Sequence, residues 1–185
     1  MWRSRPSRTS NSLQVRTATA DDAAAIAHVR AATWRHAYAH IFTAEQLGTI
    51  SVEESAAQWR DIVETAPARS HTLVAELGGM VVGFASSGPN WSEEEVHVGE
   101  LYAIYVFPDA QGQGVGRELM TESVSRLRGD GFAEAILWVF EENPLTRRFY
   151  ELAGWVADGG TKDEHLFGTT APAIRYRLPL EPSAQ

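Results

Sequence analysis

The chain contains no cysteine, which excludes a disulfide framework, a thiolate metal site and a cysteine nucleophile together. Whatever chemistry it performs comes from oxygen and nitrogen groups. Lysine is nearly absent as well: Lys162 is the only one, among 16 basic residues set against 24 acidic ones. The formal net charge of −8 argues against nucleic acid as a partner, because backbone binding needs clustered cations to neutralise phosphates. A field of that sign favours a cationic second substrate. No segment approaches the roughly 20 apolar residues of a membrane helix, so no membrane partner is expected. Met1-Trp-Arg-Ser-Arg-Pro-Ser-Arg8 has arginines but no apolar run after them, so it does not read as a secretory signal. Residues 1–12 read as a disordered tail, although Arg and Ser without acids is also the composition of an organelle transit peptide, and a cytoplasmic location is expected. His28, His36 and His40 lack acidic or cysteine partners at ligand spacing, so no metal site is expected.

What is present is an ordinary globular composition, 44% hydrophobic and 22% charged. A chain of 185 residues suffices for one domain that buries about 70% of its unfolded surface; that single domain is expected over residues 13–181.

One stretch organises the rest. Leu101 to Phe107 is apolar at odd and even positions and rich in β-branched and aromatic residues, which suits a strand covered on both faces. Pro108 ends it, Gln111-Gly-Gln-Gly-Val-Gly116 follows, and Leu119, Met120, Val124 and Leu127 then recur at helical spacing. A helix that starts inside a glycine loop presents unpartnered backbone N–H groups at the positive end of its dipole. Glycines let a phosphate come close to that backbone, and a pyrophosphate is the natural guest; a glycine-rich turn with no ligand is the plain alternative. Two other phosphate loops fail on spacing. No Lys-Ser or Lys-Thr follows the glycines, and the order is G-x-G-x-G, not G-x-G-x-x-G.

The stretch resembles the Gcn5-related N-acetyltransferase (GNAT) family, whose Q/R-x-x-G-x-G/A signature reads here Gln111-x-x-Gly114-x-Gly116 after Val106-Phe107-Pro108. The resemblance extends roughly from Leu13 to Leu180. It implies an α/β (α+β) GNAT fold: a mixed central sheet of six to seven strands, the fourth and fifth splayed apart, flanked by about four helices. It also implies acetyl-CoA as acyl donor. The loop amides of Gly112, Gln113, Gly114, Val115 and Gly116, with Gln111 and Arg117, would hold the pyrophosphate. The backbone of Ile104, Tyr105 and Val106 would meet the pantetheine arm.

Along the chain, Leu13–Thr17 alternates as a first strand. Thr19-Ala-Asp-Asp22 reads as a capping box that starts a helix, with Ile26, Val29 and Thr33 on one face and Arg30, Trp34 and Tyr38 as a stripe beside it. Thr43-Ala-Glu-Gln46 resembles a second cap, and residues 52–64 read as another helix with Trp59 and either Ile62 or Val63 inward. Two strands joined at Gly78-Gly79 form a hairpin. Residues 88–95 are a loop with three glutamates, and it would lie beside the acceptor entrance. After the long helix, residues 133–140 form a buried strand, and Asn143-Pro144 opens a helix that Gly154 stops. Trp155 starts a further strand, and Ile174–Leu178 forms the last.

In that short helix Leu145, Phe149 and Leu152, at i, i+4 and i+7, are expected to face the core and Tyr150 to face elsewhere. Acetyl transfer to an amine needs an unprotonated amine, charge stabilisation at the carbonyl oxygen, and a proton for the leaving thiolate. By resemblance Tyr150 is the general acid, and Asn143 touches the pantetheine while capping the helix. Glu100, placed on one face with Tyr102, Ile104 and Val106, is a candidate to receive the amine proton directly or through water; a merely solvated strand-end glutamate is the alternative. The Val106 amide would meet the oxyanion. Trp34, Tyr38 and Trp91 are candidate substrate contacts, with plain core packing the competing reading of the first two. The expected activity is acetyl transfer to a primary amine of a small molecule, polyamine-like in one reading, by direct transfer in a ternary complex. A non-catalytic acyl-CoA-binding module and a peptide or protein N-terminal acetyltransferase are the alternatives. Oligomeric state is not legible, a homodimer being one option.

Overall fold

The computed structural model describes residues 12–91 and 95–180; residues 1–11 of the expected N-terminal tail, with Ser92, Glu93 and Glu94 of the acidic loop, lie outside the described residues. Seven strands and five helices follow one another as β1 (Leu13–Thr17), α1 (Ala23–Ala37), α2 (Ala44–Gly48), α3 (Val52–Glu64), β2 (His71–Leu77), β3 (Met80–Pro89), β4 (Val98–Val106), α4 (Val115–Gly129), β5 (Glu134–Phe140), α5 (Pro144–Leu152), β6 (Val156–Leu166) and β7 (Thr169–Pro179). The sheet order is β1-β2-β3-β4-β5-β7-β6. All neighbours are antiparallel except β4 and β5. The helix beyond the expected four is α2, a single capped turn in which the Gln46 N–H donates to Thr43 Oγ1 at 3.2 Å.

The expected capping box ahead of α1 is present. The Thr19 N–H donates to Asp22 Oδ2 at 2.7 Å, and the same carboxylate accepts the Arg16 guanidinium at 2.7 and 2.8 Å. Arg16 also reaches Glu76 at 2.9 Å, so one arginine ties β1 and β2 to the start of α1. Gly78 and Gly79, at φ 61° and 84°, make the primed turn that a right-twisted hairpin requires.

The core lies on both faces of the sheet. On one, α4 buries Val115, Leu119 and Leu127 against Leu101, Val106 and Phe132. On the other, α1 buries Ile26 and Val29 against Val74 and Phe84, with Val63 packed alongside while Ile62 faces solvent. Trp34, Tyr38 and Phe42 form a further aromatic cluster with Phe140.

Three features position the site. The parallel pairing of β4 with β5 covers only Val98–Glu100 opposite Glu134–Ile136, although both strands run on, to Val106 and to Phe140. They splay, and a gap opens in the middle of the sheet. The second is a β-bulge: Ser86 pairs with Ala103 but Ser87 pairs with Leu101, leaving Tyr102 as the extra residue. The bulge shifts the alternation, so Leu101 joins Ile104 and Val106 in one cluster and Glu100 points to the opposite face, that of Ala103 and Tyr105. This corrects the expectation that Glu100 shares a face with Ile104 and Val106.

The third is the orientation of α5, which departs from that expected at Leu145, Leu152 and Tyr150 but not at Phe149, which packs against the core. Leu145 and Leu152 are 85% and 71% exposed, whereas Tyr150 is 6% exposed. Leu145 and Phe149 form part of the wall of a groove beside the sheet, while Leu152 is exposed. A helical period reports which side chains share a face, but it does not say whether that face meets the core or a cleft.

Candidate active site

A cleft of about 1060 Å³ runs from the glycine loop, past the β4/β5 gap, to the aromatic cluster under α1. At its first end Gly112 and Gly114 sit at φ 74° and 85°, backbone that L side chains strongly disfavour. A Cβ on either would meet nothing within 4 Å; the glycines therefore serve conformation and leave the loop open. The first bond into α4 runs from the Glu118 N–H to the Gly114 carbonyl at 3.1 Å. The amides of Val115, Gly116 and Arg117 precede it and have no partner within the helix. Together with the helix dipole they make an anion site beside the Arg117 side chain.

The edge of β4 supplies the middle. The Phe107 N–H donates to the Val82 carbonyl at 2.8 Å, and an antiparallel ladder alternates, so Tyr105 directs its backbone groups at β3 while Ile104 and Val106 direct theirs into the gap. The Val106 carbonyl is taken up on that side by Thr33 Oγ1 and Gln111 Nε2, both at 3.1 Å. Gln111 thereby fastens the glycine loop to the last residue of β4. The Val106 N–H is left facing the gap.

Three tyrosines converge at the crossing. Burial raises the hydroxyl pKa values of Tyr38, Tyr105 and Tyr150 above the ordinary value, and proximity to Tyr105 adds to this for the other two. All three are neutral proton donors at working pH. The Tyr150 ring packs on Trp155 and Tyr176 at 6.4 and 6.3 Å. The buried Trp34 indole N–H has no hydrogen-bond partner, although its proximity lowers Tyr105 against the effect of burial. Glu100 opens onto the same cleft, and burial raises its carboxyl above 4.5, opposed by Lys162 and reinforced by Glu164.

The cleft brings together Gln111, Gly112, Gly114, Gly116, Arg117, Ile104, Tyr105, Val106, Asn143, Tyr150, Glu100, Trp34 and Tyr38. Three sequence candidates lie otherwise. The Val115 side chain is buried beneath α4, which leaves only its amide. The Gln113 side chain turns back to the Asp109 carbonyl at 3.0 Å. Trp91 is 76% exposed and stacks on Tyr102, and it is Tyr102 that reaches the cleft wall. Asn143 caps α5 through its Oδ1, which accepts from the Thr146 N–H at 3.2 Å. Tyr105 enters with its side chain, since its backbone belongs to β3. Trp34 and Tyr38 are core residues that also line the cleft. Sequence reasoning passed over Thr33, Trp138, Lys162 and Glu164; the last two alternate onto one face of β6, a signal visible only once that strand is assigned a position beside the cleft.

Residues 21–155 match the acetyltransferase (GNAT) family. The chain belongs to this family. YuaI of Bacillus subtilis (strain 168), named an uncharacterized N-acetyltransferase, is 35% identical over 130 residues, or 70% of this chain and 73% of its own length. Among solved structures, yncA of Salmonella typhimurium, determined with its cofactor acetyl-CoA, superposes with a TM-score of 0.69 at 24% identity, over 95% of this chain and 98% of that one. The ribosomal-protein-alanine N-acetyltransferase of Brucella melitensis gives a TM-score of 0.70 at 24% identity, over 90% and 99%. At such identities these two structures establish the GNAT fold. Among the described residues no helix is long and apolar enough to cross a membrane, and no group of three His, Asp or Glu side chains is arranged to hold a metal ion.

Proposed function

We propose that this GNAT protein transfers the acetyl group of acetyl-CoA to a primary amine of a small molecule, in a ternary complex without a covalent enzyme intermediate. The observation that carries the reading is the single cleft linking an open helix N-terminus to an aromatic pocket, with buried Tyr150 at the crossing. The residues present fit the donor. Unpartnered amides at the start of α4 suit a diphosphate, and backbone groups of Ile104 and Val106 that face a gap suit an amide-bearing arm. When bound, acetyl-CoA supplies an activated thioester.

The chain's own groups then divide the work. The Val106 N–H offers a fixed donor where charge develops on a carbonyl oxygen. Tyr150, kept neutral by burial, holds a proton for a departing thiolate. Glu100, made more basic by burial, receives the proton of an amine that is mostly charged at neutral pH. Trp34, Tyr38 and Tyr105 wall the acceptor's apolar body.

A small acceptor is favoured because the Trp34 wall of the pocket is backed by packed protein. Gln46 Nε2 donates to the Phe167 carbonyl and to Thr169 Oγ1, each at 2.8 Å, and so clasps α2 onto the turn between β6 and β7. Phe167 packs on Trp34 at 6.1 Å. Thiol release from acetyl-CoA with an amine panel, with mass detection of acetylated product, tests the proposal. Release that depends on an amine is expected. Tight binding of acetyl-CoA with no turnover on any amine would refute it and leave a binding module.

A further inference from the structure

The only lysine of the chain lies on the wall of this cleft. Lys162 and Glu164 are two apart on β6 and so share a face; opposite them on β7 stand the small buried residues Ala173 and Ala171, which leave room for both long side chains. Lys162 Nζ meets Glu164 Oε1 at 2.6 Å and sits 4.5 Å from the centre of the Trp138 ring. Arg175, held by Asp158 at 2.8 Å, contributes a second cation to the same indole at 5.7 Å. An aromatic face beside a carboxylate is the environment that would receive the second ammonium of a diamine, and here the protein has filled it with its own cations. The charge is felt at the candidate base, since Lys162 lowers and Glu164 raises the pKa of Glu100.

We propose that Lys162 is a specificity-determining residue that occupies the distal cation subsite of the acceptor pocket, so that the enzyme accepts amines with one positive charge and rejects α,ω-diamines. The inference rests on the acetyltransferase reading above and narrows its substrate class. A second ammonium entering the pocket could reach Glu164 only by displacing Lys162 Nζ from it, and competition of this kind at partly exposed charges changes affinity by several-fold, up to about tenfold. An acceptor whose tail is neutral meets no such competition, whereas a carboxylate tail could pair with Lys162 only by displacing Glu164. The favoured substrate is therefore a monoamine with a neutral tail, not a polyamine.

Three acceptors of equal length separate the possibilities: butylamine, 1,4-diaminobutane and 4-aminobutanoate, with kcat/KM measured on the full chain with acetyl-CoA. The wild type should use the diamine several-fold, up to about tenfold, less efficiently than butylamine. Lys162→Met should raise the diamine-to-monoamine ratio by several-fold, up to about tenfold, through KM and not kcat, whereas Lys162→Arg should keep the wild-type ratio. In Glu164→Gln, which frees the lysine while leaving it in place, the ratio of 4-aminobutanoate to butylamine should rise. A wild type that prefers the diamine, or ratios that do not move in Lys162→Met and Glu164→Gln, overturns this inference and leaves the acetyltransferase reading intact. Binding of acetyl-CoA with no turnover of any of the three overturns both.

Discussion

Replacing Tyr150 by phenylalanine removes one oxygen from the point where the two halves of the cleft meet. The ring is 6% exposed and held by Phe149, Trp155 and Tyr176, with centroids at 5.4, 6.4 and 6.3 Å; phenylalanine keeps each of these contacts. No partner is orphaned by the change among the described residues, since the loss of a buried hydroxyl is costly when it leaves another group unsatisfied and no described group is hydrogen-bonded to this one. The expected change in folding free energy is therefore within about 0.5 kcal/mol. Tyr150→Ala, by contrast, deletes a buried ring and should cost about 3–5 kcal/mol. Catalysis is expected to respond very differently to Tyr150→Phe. A positioned proton donor contributes about 10²–10⁴-fold, or roughly 3–5 kcal/mol of barrier, and burial keeps this hydroxyl protonated across the working range. The assay is steady-state thiol release at saturating acetyl-CoA and acceptor, with thermal melts and acetyl-CoA affinity measured on the same preparation. The reasoning predicts a kcat lower by about 10²–10⁴-fold with a melting temperature and cofactor affinity near those of the wild type. A kcat within a few-fold of wild type would refute the role of Tyr150, and a large fall in melting temperature would refute the packing argument.

Glu100→Gln should lower kcat and remove the acid limb of its pH profile: burial holds the carboxyl above 4.5, so in the wild type the proton-accepting form is lost as pH falls through that raised value. Gly114→Glu should abolish acetyl-CoA binding in a calorimetric titration. Gly114→Ala carries the same backbone strain at φ 85°, about 1–2 kcal/mol, without the charge, so equal affinities in the two variants would argue against a phosphate at this loop. Asp22→Asn should destabilise the fold by about 1–2 kcal/mol at pH 7 in denaturant titrations, a figure discounted for the exposure of Arg16. The Arg16 guanidinium lowers Asp22 from 3.8 to about 2, so its stabilisation is present above pH 3.8 and lost as pH falls toward 2; variant and wild type should therefore converge in acid. A difference that persists at pH 2 would place the effect in the helix cap alone.

The parts of the site that depend on neighbours in sequence were readable from the chain. The glycine loop, the helix that begins in it, the capping box at Thr19 and the Asn143-Pro144 start of α5 each follow from residues within a few positions of one another, because turns and helix ends are satisfied by local hydrogen bonds and local φ values. Element order and the family resemblance followed from the same short-range signals.

Directions in space were decided only by the tertiary structure. The bulge at Tyr102 turned Glu100 to the other face of β4, since one extra residue inverts every later position and no residue type announces it. Leu145, Phe149 and Leu152 form the apolar stripe of α5 that periodicity detects, yet only Phe149 packs against the core, while Leu145 borders the groove and Leu152 is exposed. Lys162, Glu164, Trp138 and Glu100 meet because β4 and β5 part and β6 and β7 fold alongside. These are contacts between segments far apart in the chain, and their formation is governed by how whole elements pack, which no local pattern encodes.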